Sequence, residues 1–249
     1  MKLSLPPLPP IRGIFITGTD TDVGKTWVAG GLTAVFRERD VNAVYFKPIQ
    51  SGCPLEEGRL IPTDARLARD VAGLTEPLEV LTPIALRLPL APGVAAAQAG
   101  VAVDLERIAE GVRDLAARYE FLVVEGAGGL YVPLIGMDFL VLDLIRWLSL
   151  PLAVVAKSGL GTINHTVLTV KAALAADIQV AGVILNRYPE KPGLAEETNP
   201  EVIAALTGVP ILGRLPEVPD LDDASGREPF MAALRPIAGQ LILNYGIEH

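Results

Sequence analysis

A glycine-bounded stretch near the N-terminus carries the side chains that could hold a phosphate group. The segment 18–26 reads GTDTDVGKT and follows an apolar run, 13–17, that is rich in strand-forming residues. Behind it, apolar residues recur at helical spacing from Trp27 to Phe36. Strand, glycine-bounded loop, Gly-Lys-Thr and helix form the context of a phosphate-binding P-loop. Loop N–H groups and the helix N-terminus would surround a polyphosphate, with Lys25 as a mobile cation and the Thr26 hydroxyl as a Mg²⁺ ligand.

The glycine spacing of this loop departs from the P-loop consensus by one residue. Five residues separate Gly18 from Gly24, where the consensus has four, and Thr19 stands at the consensus glycine position. Gly-Lys-Thr at a helix start also arises by chance. The flanking strand and helix favour the phosphate site.

Three charged side chains lie where open α/β sheets bind ligands, beyond the carboxyl ends of strands or at a helix start. Lys47 follows the apolar run 43–46, and beside a P-loop we favour a cation facing phosphate or substrate over a solvated lysine. Glu125 ends the buried-type run 121–124, in the position of a Walker-B metal contact, the alternative being a solvated turn residue. Asp64 opens a helix, and the sequence does not separate a first-turn carboxylate from a metal ligand.

Strand and helix patterns alternate along the rest of the chain. Further strands are predicted over 84–86, 152–156, 180–185 and 210–213, and further helices over 62–71, 94–99, from Asp104, from Asp138 to Leu148, from near Ile163, over 196–206 and from about Pro229 with a break at Pro236. This alternation predicts an α/β fold: a single doubly wound domain with a mainly parallel sheet flanked by helices. We assign it residues 12–249, preceded by a proline-rich leader, 1–11, that lies as a mobile segment over the surface.

Composition argues against several classes of protein. The net charge of −8 and the lack of any Lys/Arg run argue against a nucleic-acid partner. Prolines interrupt the apolar runs 88–103 and 147–156, so no membrane span is expected, and prolines in the leader break up any signal-peptide core.

Cysteine and histidine usage narrows the chemistry further. Cys53 is the only cysteine, so no intrachain disulfide is possible and a reducing, cytoplasmic location fits. His165 and His249 are the only histidines, which makes a Ser-His-Asp triad or a histidine-based zinc site improbable.

Four motifs together resemble dethiobiotin synthetase, in this order and at these spacings: TGTDTDVGKT (17–26), KPIQSG (47–52), EGAGG (125–129) and GTINH (161–165). The similarity extends from about Arg12 to Pro219, and in that family the longer P-loop spacer is normal. The resemblance implies a P-loop NTPase-like fold and an ATP- and Mg²⁺-dependent ring closure in biotin biosynthesis. There, CO₂ converts 7,8-diaminononanoate to a carbamate, the carbamate takes the γ-phosphoryl group, and the second amine closes the ureido ring to give dethiobiotin, ADP and phosphate.

The resemblance also implies roles for individual residues. Lys25, Lys47 and Thr21 are the catalytic residues, and Thr26, Asp64 and Glu125 hold Mg²⁺. The nucleotide would contact Asp22, Val23, Gly24, Lys25, Thr26, Asn186 (at the adenine edge), Leu215, Pro216 and Glu217. The small-molecule substrate would contact Ser51 beside Thr21 and Asp22, and the helix start at Gly161 and Asn164, which the family presents across a homodimer interface. The alternative at that helix start is that Thr162 caps the helix and Asn164 faces solvent.

The alternative function is that of a nucleotide switch like the ParA/MinD partitioning ATPases, which act through protein partners. Those proteins carry a signature lysine five residues before the P-loop lysine, and here that position is Asp20. The C-terminal segment also lacks a basic amphipathic helix for membrane binding. We therefore favour the enzyme.

Overall fold

The computed structural model describes residues 4–245. The first three residues of the predicted leader and residues 246–249, which include His249, lie outside the described residues. The strands are β1 (Gly13–Gly18), β2 (Ala43–Phe46), β3 (Ile49–Gln50), β4 (Leu55–Glu56), β5 (Arg59–Leu60), β6 (Ile84–Ala85), β7 (Phe121–Glu125), β8 (Pro133–Ile135), β9 (Phe139–Leu140), β10 (Leu152–Lys157), β11 (Val180–Tyr188) and β12 (Ile211–Pro216). The helices are α1 (Lys25–Glu38), α2 (Thr63–Ala72), α3 (Leu78–Leu81), α4 (Pro92–Ala99), α5 (Leu105–Arg118), α6 (Val141–Leu148), α7 (Thr162–Ala175), α8 (Leu194–Thr207) and α9 (Ala224–Tyr245).

A six-stranded parallel sheet in the order β12-β11-β10-β1-β7-β2 forms the centre of the fold. Strands β1 and β7 are buried along their whole length, as their non-alternating apolar sequences predict for strands covered on both faces. Helices α1, α5, α7 and α9 pack on this sheet. The predicted α/β class with a parallel sheet flanked by helices is confirmed.

The order of the strands brings the predicted site residues to one edge of the sheet. Strand β1 lies between β7 and β10, so the loop after β1 and the end of β7 are neighbours. Strand β2 pairs with the other side of β7, which places the segment after Phe46 beside Glu125. Since all these strands run parallel, their carboxyl ends meet at the same edge.

Three predictions of helix bounds are wrong. The last helix, predicted from about Pro229, begins at Ala224. The helix predicted from Asp138 begins at Val141, because residues 139–140 form β9 against β8 and the carboxylate of Asp143 accepts a hydrogen bond from the Leu140 N–H over 2.9 Å. No break occurs at Pro236, since α9 continues through it.

The exposure of Pro236 explains why α9 continues. A proline lacks the N–H that would bond the carbonyl four residues earlier, that of Ala232. Both residues are exposed, so water can satisfy this carbonyl. On the opposite side, Leu234 and Ile237 are fully buried and hold the helix against the core on both sides of the proline.

The described part of the leader lies against α5 and α6. The Pro6 carbonyl accepts a hydrogen bond from Trp147 Nε1 over 2.9 Å, and the Pro7 carbonyl accepts one from the Arg113 guanidinium over 3.1 Å. Leu8 packs against the core. Within residues 4–245, none of the helices has both the length and the apolar character that a membrane crossing requires.

Candidate functional site

The loop between β1 and α1 has the geometry of an anion cradle. Its last residue, Gly24, has φ +94°, a left-handed conformation that favours glycine, and it precedes the first turn of α1. A Cβ at this position would lie 2.1 Å from Nδ2 of Asn186. That amide group donates a hydrogen bond to the Val23 carbonyl over 2.8 Å. Asn186, at the end of β11, therefore fixes the loop from the side.

Lys25 crosses the inside of this loop. Its Nζ donates to the Asp20 carbonyl over 2.9 Å, and the side chain is buried. Burial lowers the pKa of Lys25, an effect that the negative charge of Glu125 partly offsets. The ammonium group is therefore held within the loop, in position to meet a polyphosphate bound there.

Four predicted residues from four separate segments converge beside the loop. Lys47 Nζ donates to Glu125 Oε1 over 2.7 Å and is also ion-paired with Asp64 Oδ2. The Thr26 hydroxyl donates to the same Glu125 oxygen over 3.0 Å. These four side chains line one cleft of about 490 Å³ together with Lys25.

The cluster is an ammonium group enclosed by two carboxylates. Burial by itself lowers the pKa of Lys47, but the adjacent charges of Glu125 and Asp64 outweigh burial, and the net result is a raised pKa. Lys47 therefore stays charged at neutral pH. Asp64, for which the sequence left two roles open, directs its carboxylate to this lysine, and the N-cap residue of α2, Pro62, provides no side-chain cap.

The donor set in this cluster fits Mg²⁺. Thr26, Asp64 and Glu125 offer one hydroxyl and two carboxylates, which are the hard oxygen ligands that this ion binds. The Lys47 ammonium shows that the space between the carboxylates accommodates a positive charge. Among the described residues, no group of three or more His, Cys, Asp and Glu side chains forms an all-protein metal cage. Mg²⁺ typically keeps waters and phosphate oxygens as its remaining ligands, so such a cage is not needed.

The predicted substrate residues divide between two cavities and the surface. Thr21, Asp22 and Ser51 line the same cleft as Lys47. Gly161 lines a neighbouring cavity of about 470 Å³, whereas Asn164 is exposed on the first turn of α7. The structure therefore does not bring Asn164 to the cleft within one chain.

The predicted base-binding residues do not all line one cavity either. Pro216 and Glu217 line a cavity of about 660 Å³ with Tyr188 and Arg214. Leu215 is fully buried, so its side chain lines the core and not this cavity. Asn186 has one amide proton committed to the Val23 carbonyl, and its oxygen makes no hydrogen bond to a described residue.

Three residues at the cleft were not predicted from the sequence. Tyr45 donates from its hydroxyl to Glu125 Oε2 over 2.7 Å, Gln50 bonds the first turn of α2, and Arg187 lines the cleft from a backbone with φ +55°. Tyr45 lies two residues before Lys47, and the two-residue alternation of a strand could have indicated that both share a face.

A family model and curated relatives match most of the chain. A family model described as an AAA domain matches residues 12–225. An ATP-dependent dethiobiotin synthetase BioD from Thermodesulfovibrio yellowstonii is 42% identical over 217 residues, which cover 84% of this chain and 90% of the relative. A protein of the same name from Anaeromyxobacter dehalogenans is 45% identical over 211 residues, covering 85% of this chain and 92% of the relative.

Solved structures resemble the fold at low sequence identity. The MinC:MinD cell division protein complex of Aquifex aeolicus gives a TM-score of 0.60 at 17% identity, covering 96% of this chain and 98% of the other. The septum site-determining protein MinD of Pyrococcus horikoshii gives 0.58 at 17% identity, covering 95% and 98%. At this identity the likeness shows the fold alone. The similarity to the synthetases reaches 42% and 45% identity over most of both chains, and it shows that the chain belongs to the ATP-dependent dethiobiotin synthetase family.

Proposed function

We propose that this chain is an ATP- and Mg²⁺-dependent dethiobiotin synthetase that carboxylates 7,8-diaminononanoate with CO₂ and closes the ureido ring. The observation that carries the proposal is the position of Lys47, held between Asp64 and Glu125 beside the P-loop. This reaction brings two anions together, a carbamate and a triphosphate. A buried lysine next to a metal-type carboxylate pair supplies the positive charge that such an encounter needs.

The P-loop holds the nucleotide in this proposal. The N–H groups around Gly24 and the N-terminus of α1 bind the phosphates, and Lys25 exchanges the Asp20 carbonyl for a phosphate oxygen. Asn186 keeps the loop in its binding shape through the Val23 carbonyl, and its unpaired oxygen can accept a hydrogen bond from the adenine amino group. Pro216 and Glu217 border the base.

Thr26, Asp64 and Glu125 would hold Mg²⁺, which neutralises charge on the phosphates during phosphoryl transfer. Lys47 would then turn from the carboxylates towards the transferring group. Its flexible four-carbon stem allows this movement without a change in the backbone.

The second substrate lies beside the phosphates. Thr21, Asp22 and Ser51 line the cleft next to Lys47 and contact the carbamate or its neighbouring atoms. The carbamate oxygen attacks the γ-phosphorus with release of ADP. The second amine then attacks the carbonyl carbon of the mixed anhydride, loses a proton and expels phosphate.

The aliphatic carboxylate of the diamine binds at the N-terminus of α7 of a second protomer. Gly161 and Asn164 present N–H groups and an amide there, and Asn164 is exposed in the single chain, as a residue that serves a partner would be. Large apolar side chains are exposed nearby, Leu160 at 96% and Leu168 at 62%, which supports a homodimer. The buried, unpaired thiol of Cys53 supports a cytoplasmic location.

A switch function of the ParA/MinD kind receives no support beyond the fold. The position of the signature lysine is Asp20, whose backbone carbonyl is bonded to Lys25 of the same loop.

A direct assay tests the proposed function. Purified protein is incubated with ATP, Mg²⁺, bicarbonate and 7,8-diaminononanoate, and dethiobiotin is sought by mass. We expect one dethiobiotin per ADP formed. Hydrolysis of ATP at the same rate with and without the diamine, and no dethiobiotin, would contradict the proposal.

A further inference from the structure

A buried tyrosine holds one oxygen of Glu125. Tyr45 lies on β2, which pairs with β7, the strand that ends in Glu125. Its hydroxyl donates to Oε2 of Glu125 over 2.7 Å, and the exposed fractions of the two residues are 0% and 1%. The other oxygen, Oε1, faces Thr26 and Lys47. One oxygen of Glu125 is therefore held by Tyr45, while the other faces the cation site.

A buried glutamine holds the backbone that carries Asp64. Gln50 Nε2 donates to the Thr63 hydroxyl over 2.9 Å, and its Oε1 accepts from the Asp64 N–H over 3.1 Å. Helix α2 has Pro62 at its N-cap position and no capping side chain of its own. Gln50 thus supplies, from β3, the acceptor that a helix start needs. This contact sets the position of the first turn and of the Asp64 carboxylate.

Both supporting residues lie on the segment that carries Lys47. Tyr45 precedes the lysine by two residues and Gln50 follows it by three. Filling space does not require the polar groups, because the adjacent Phe46 is also fully buried without a hydroxyl. What the hydroxyl and the amide add is directional hydrogen bonding to the carboxylate pair.

We propose that Tyr45 and Gln50 are positioning residues for the metal site, Tyr45 through Glu125 and Gln50 through Asp64. This inference rests on the proposed function, in which the two carboxylates hold Mg²⁺. Hydrogen-bond partners behind metal-ligating carboxylates orient them, and their loss typically costs about 10–100-fold in metal affinity or activity. The side-chain hydrogen bonds of both residues go to Glu125 and to the first turn of α2, not to the P-loop, so we expect nucleotide affinity without metal not to depend on them.

Metal binding to the ADP complex provides the test. Mn²⁺ serves as the probe, and free Mn²⁺ is measured by electron paramagnetic resonance with wild type, Tyr45→Phe and Gln50→Leu. Tyr119→Phe is the matched control, because Tyr119 also donates its hydroxyl to a buried glutamate, Glu76, at the opposite end of β7. Thermal unfolding and metal-free ADP affinity are measured on every variant.

We expect Tyr45→Phe and Gln50→Leu each to weaken Mn²⁺ binding about tenfold or more, with metal-free ADP affinity unchanged. Tyr119→Phe should lose thermal stability while keeping wild-type Mn²⁺ affinity. Wild-type Mn²⁺ affinity in Tyr45→Phe, with a loss of thermal stability like that of Tyr119→Phe, would overturn the role of Tyr45. If Tyr45→Phe does not fold, Gln50→Leu decides the proposal by the same criterion.

A further variant separates this inference from the proposed function. Glu125→Gln should weaken Mn²⁺ binding at least as much as Tyr45→Phe. If Glu125→Gln weakens it and Tyr45→Phe does not, the positioning role alone fails. If neither does, the metal site itself is wrong, whereas the dethiobiotin assay on wild type tests the reaction independently of both.

Discussion

At the scale of single residues, Lys47 can bind either the two carboxylates beside it or the anionic substrates. In this structure its ammonium group is bound by Asp64 and Glu125, whereas the proposed reaction needs it to face phosphate and carbamate. A divalent cation bound by the same two carboxylates would compete with the ammonium for them. Metal binding and the release of Lys47 towards the substrates are therefore expected to be coupled.

Lys47→Ala should separate the effect of Lys47 on metal binding from its effect on phosphoryl transfer. We expect tighter Mg²⁺ binding, because a competing cation is removed, and a loss of about 10²–10³ in kcat, because charge on the transferring group is no longer stabilised. The KM for ATP should change much less. Steady-state kinetics and Mn²⁺ binding measure both effects, and a near-normal kcat would show that Lys47 has only a structural role, as the ion-pair partner of the two carboxylates.

Lys25→Ala should abolish turnover and weaken ATP binding, because the P-loop loses the ammonium that crosses it. Calorimetric titration with ADP measures the loss. The control is Lys191→Ala, since Lys191 is exposed and lines none of the cavities that contain P-loop residues. Equal ADP affinity in both variants would refute the P-loop assignment.

Site residues could be predicted from the sequence most readily where they stand at the end of a predicted strand. Lys47 and Glu125 come at strand ends, and parallel strands bring their ends together whatever their separation in sequence. Tyr45 lies inside β2, and Gln50 belongs to the two-residue strand β3, which the sequence did not predict. The local sequence does not show which partner a buried polar side chain has. The resemblance placed Leu215 at the base pocket, whereas its side chain is fully buried, and the sequence alone does not show which side chains of β12 are buried.

At the scale of secondary-structure elements, local patterns located strands and helices better than they located boundaries. Asp104 was predicted to begin a helix and does, because its carboxylate accepts from the Glu106 N–H over 2.9 Å. Asp138 has the same residue type before an apolar run, but a strand pairing between residues 133–135 and 139–140 competes for that segment. This pairing is a local hairpin, and the apolar pattern of the segment alone did not separate it from a helix start.

Pro236→Ala should stabilise the protein. Alanine restores the missing helical N–H, worth up to about 3 kcal/mol in a helix interior. Alanine also gives the unfolded chain more conformational freedom than proline, which lowers the free energy of unfolding by about 1 kcal/mol. We expect a net gain of about 1–2 kcal/mol in the free energy of unfolding, measured by urea denaturation with an unchanged m-value. A loss of stability would show that the α9 geometry around Pro236 is required for packing.

Substitutions at the start of α7 should change the KM for the diamine and leave the KM for ATP nearly unchanged. Asn164→Ala is expected to raise the KM for the diamine with little effect on the KM for ATP, because an amide donor to the carboxylate is lost. Asn164→Asp, which keeps the shape and adds a negative charge, should raise it further. Initial rates at varied diamine measure both variants. Wild-type KM values in Asn164→Asp would mean that this residue faces only solvent.

At the scale of the whole molecule, the site proposed here is incomplete within one chain. The cleft holds the groups for nucleotide and metal, while Asn164 is exposed on α7. The exposed apolar residues Leu160, Leu168 and Tyr131 lie in the same region as Thr19 and Asp20, which line cavities with them. A second protomer seated there would cover these side chains and complete the site.

Leu168→Glu should separate the protomers and lower activity at low protein concentration. A buried carboxylate without a partner is costly at an apolar interface. Sedimentation and light scattering measure the oligomeric state. Leu243→Glu is the control, because Leu243 is also exposed, at 84%, but lies near the end of α9. A fully active monomer would disprove the shared site.

The position of β1 in the sheet sets the order in which the protein can be assembled. Strand β1 is the first to leave the ribosome, yet its neighbours begin only at Phe121 and Leu152. Pairings between such distant segments form slowly, and during synthesis they wait for the later segment to emerge. The loop after β1 is fixed later still, when Asn186 reaches the Val23 carbonyl. A nascent chain therefore acquires its complete nucleotide site only after Asn186 has emerged from the ribosome.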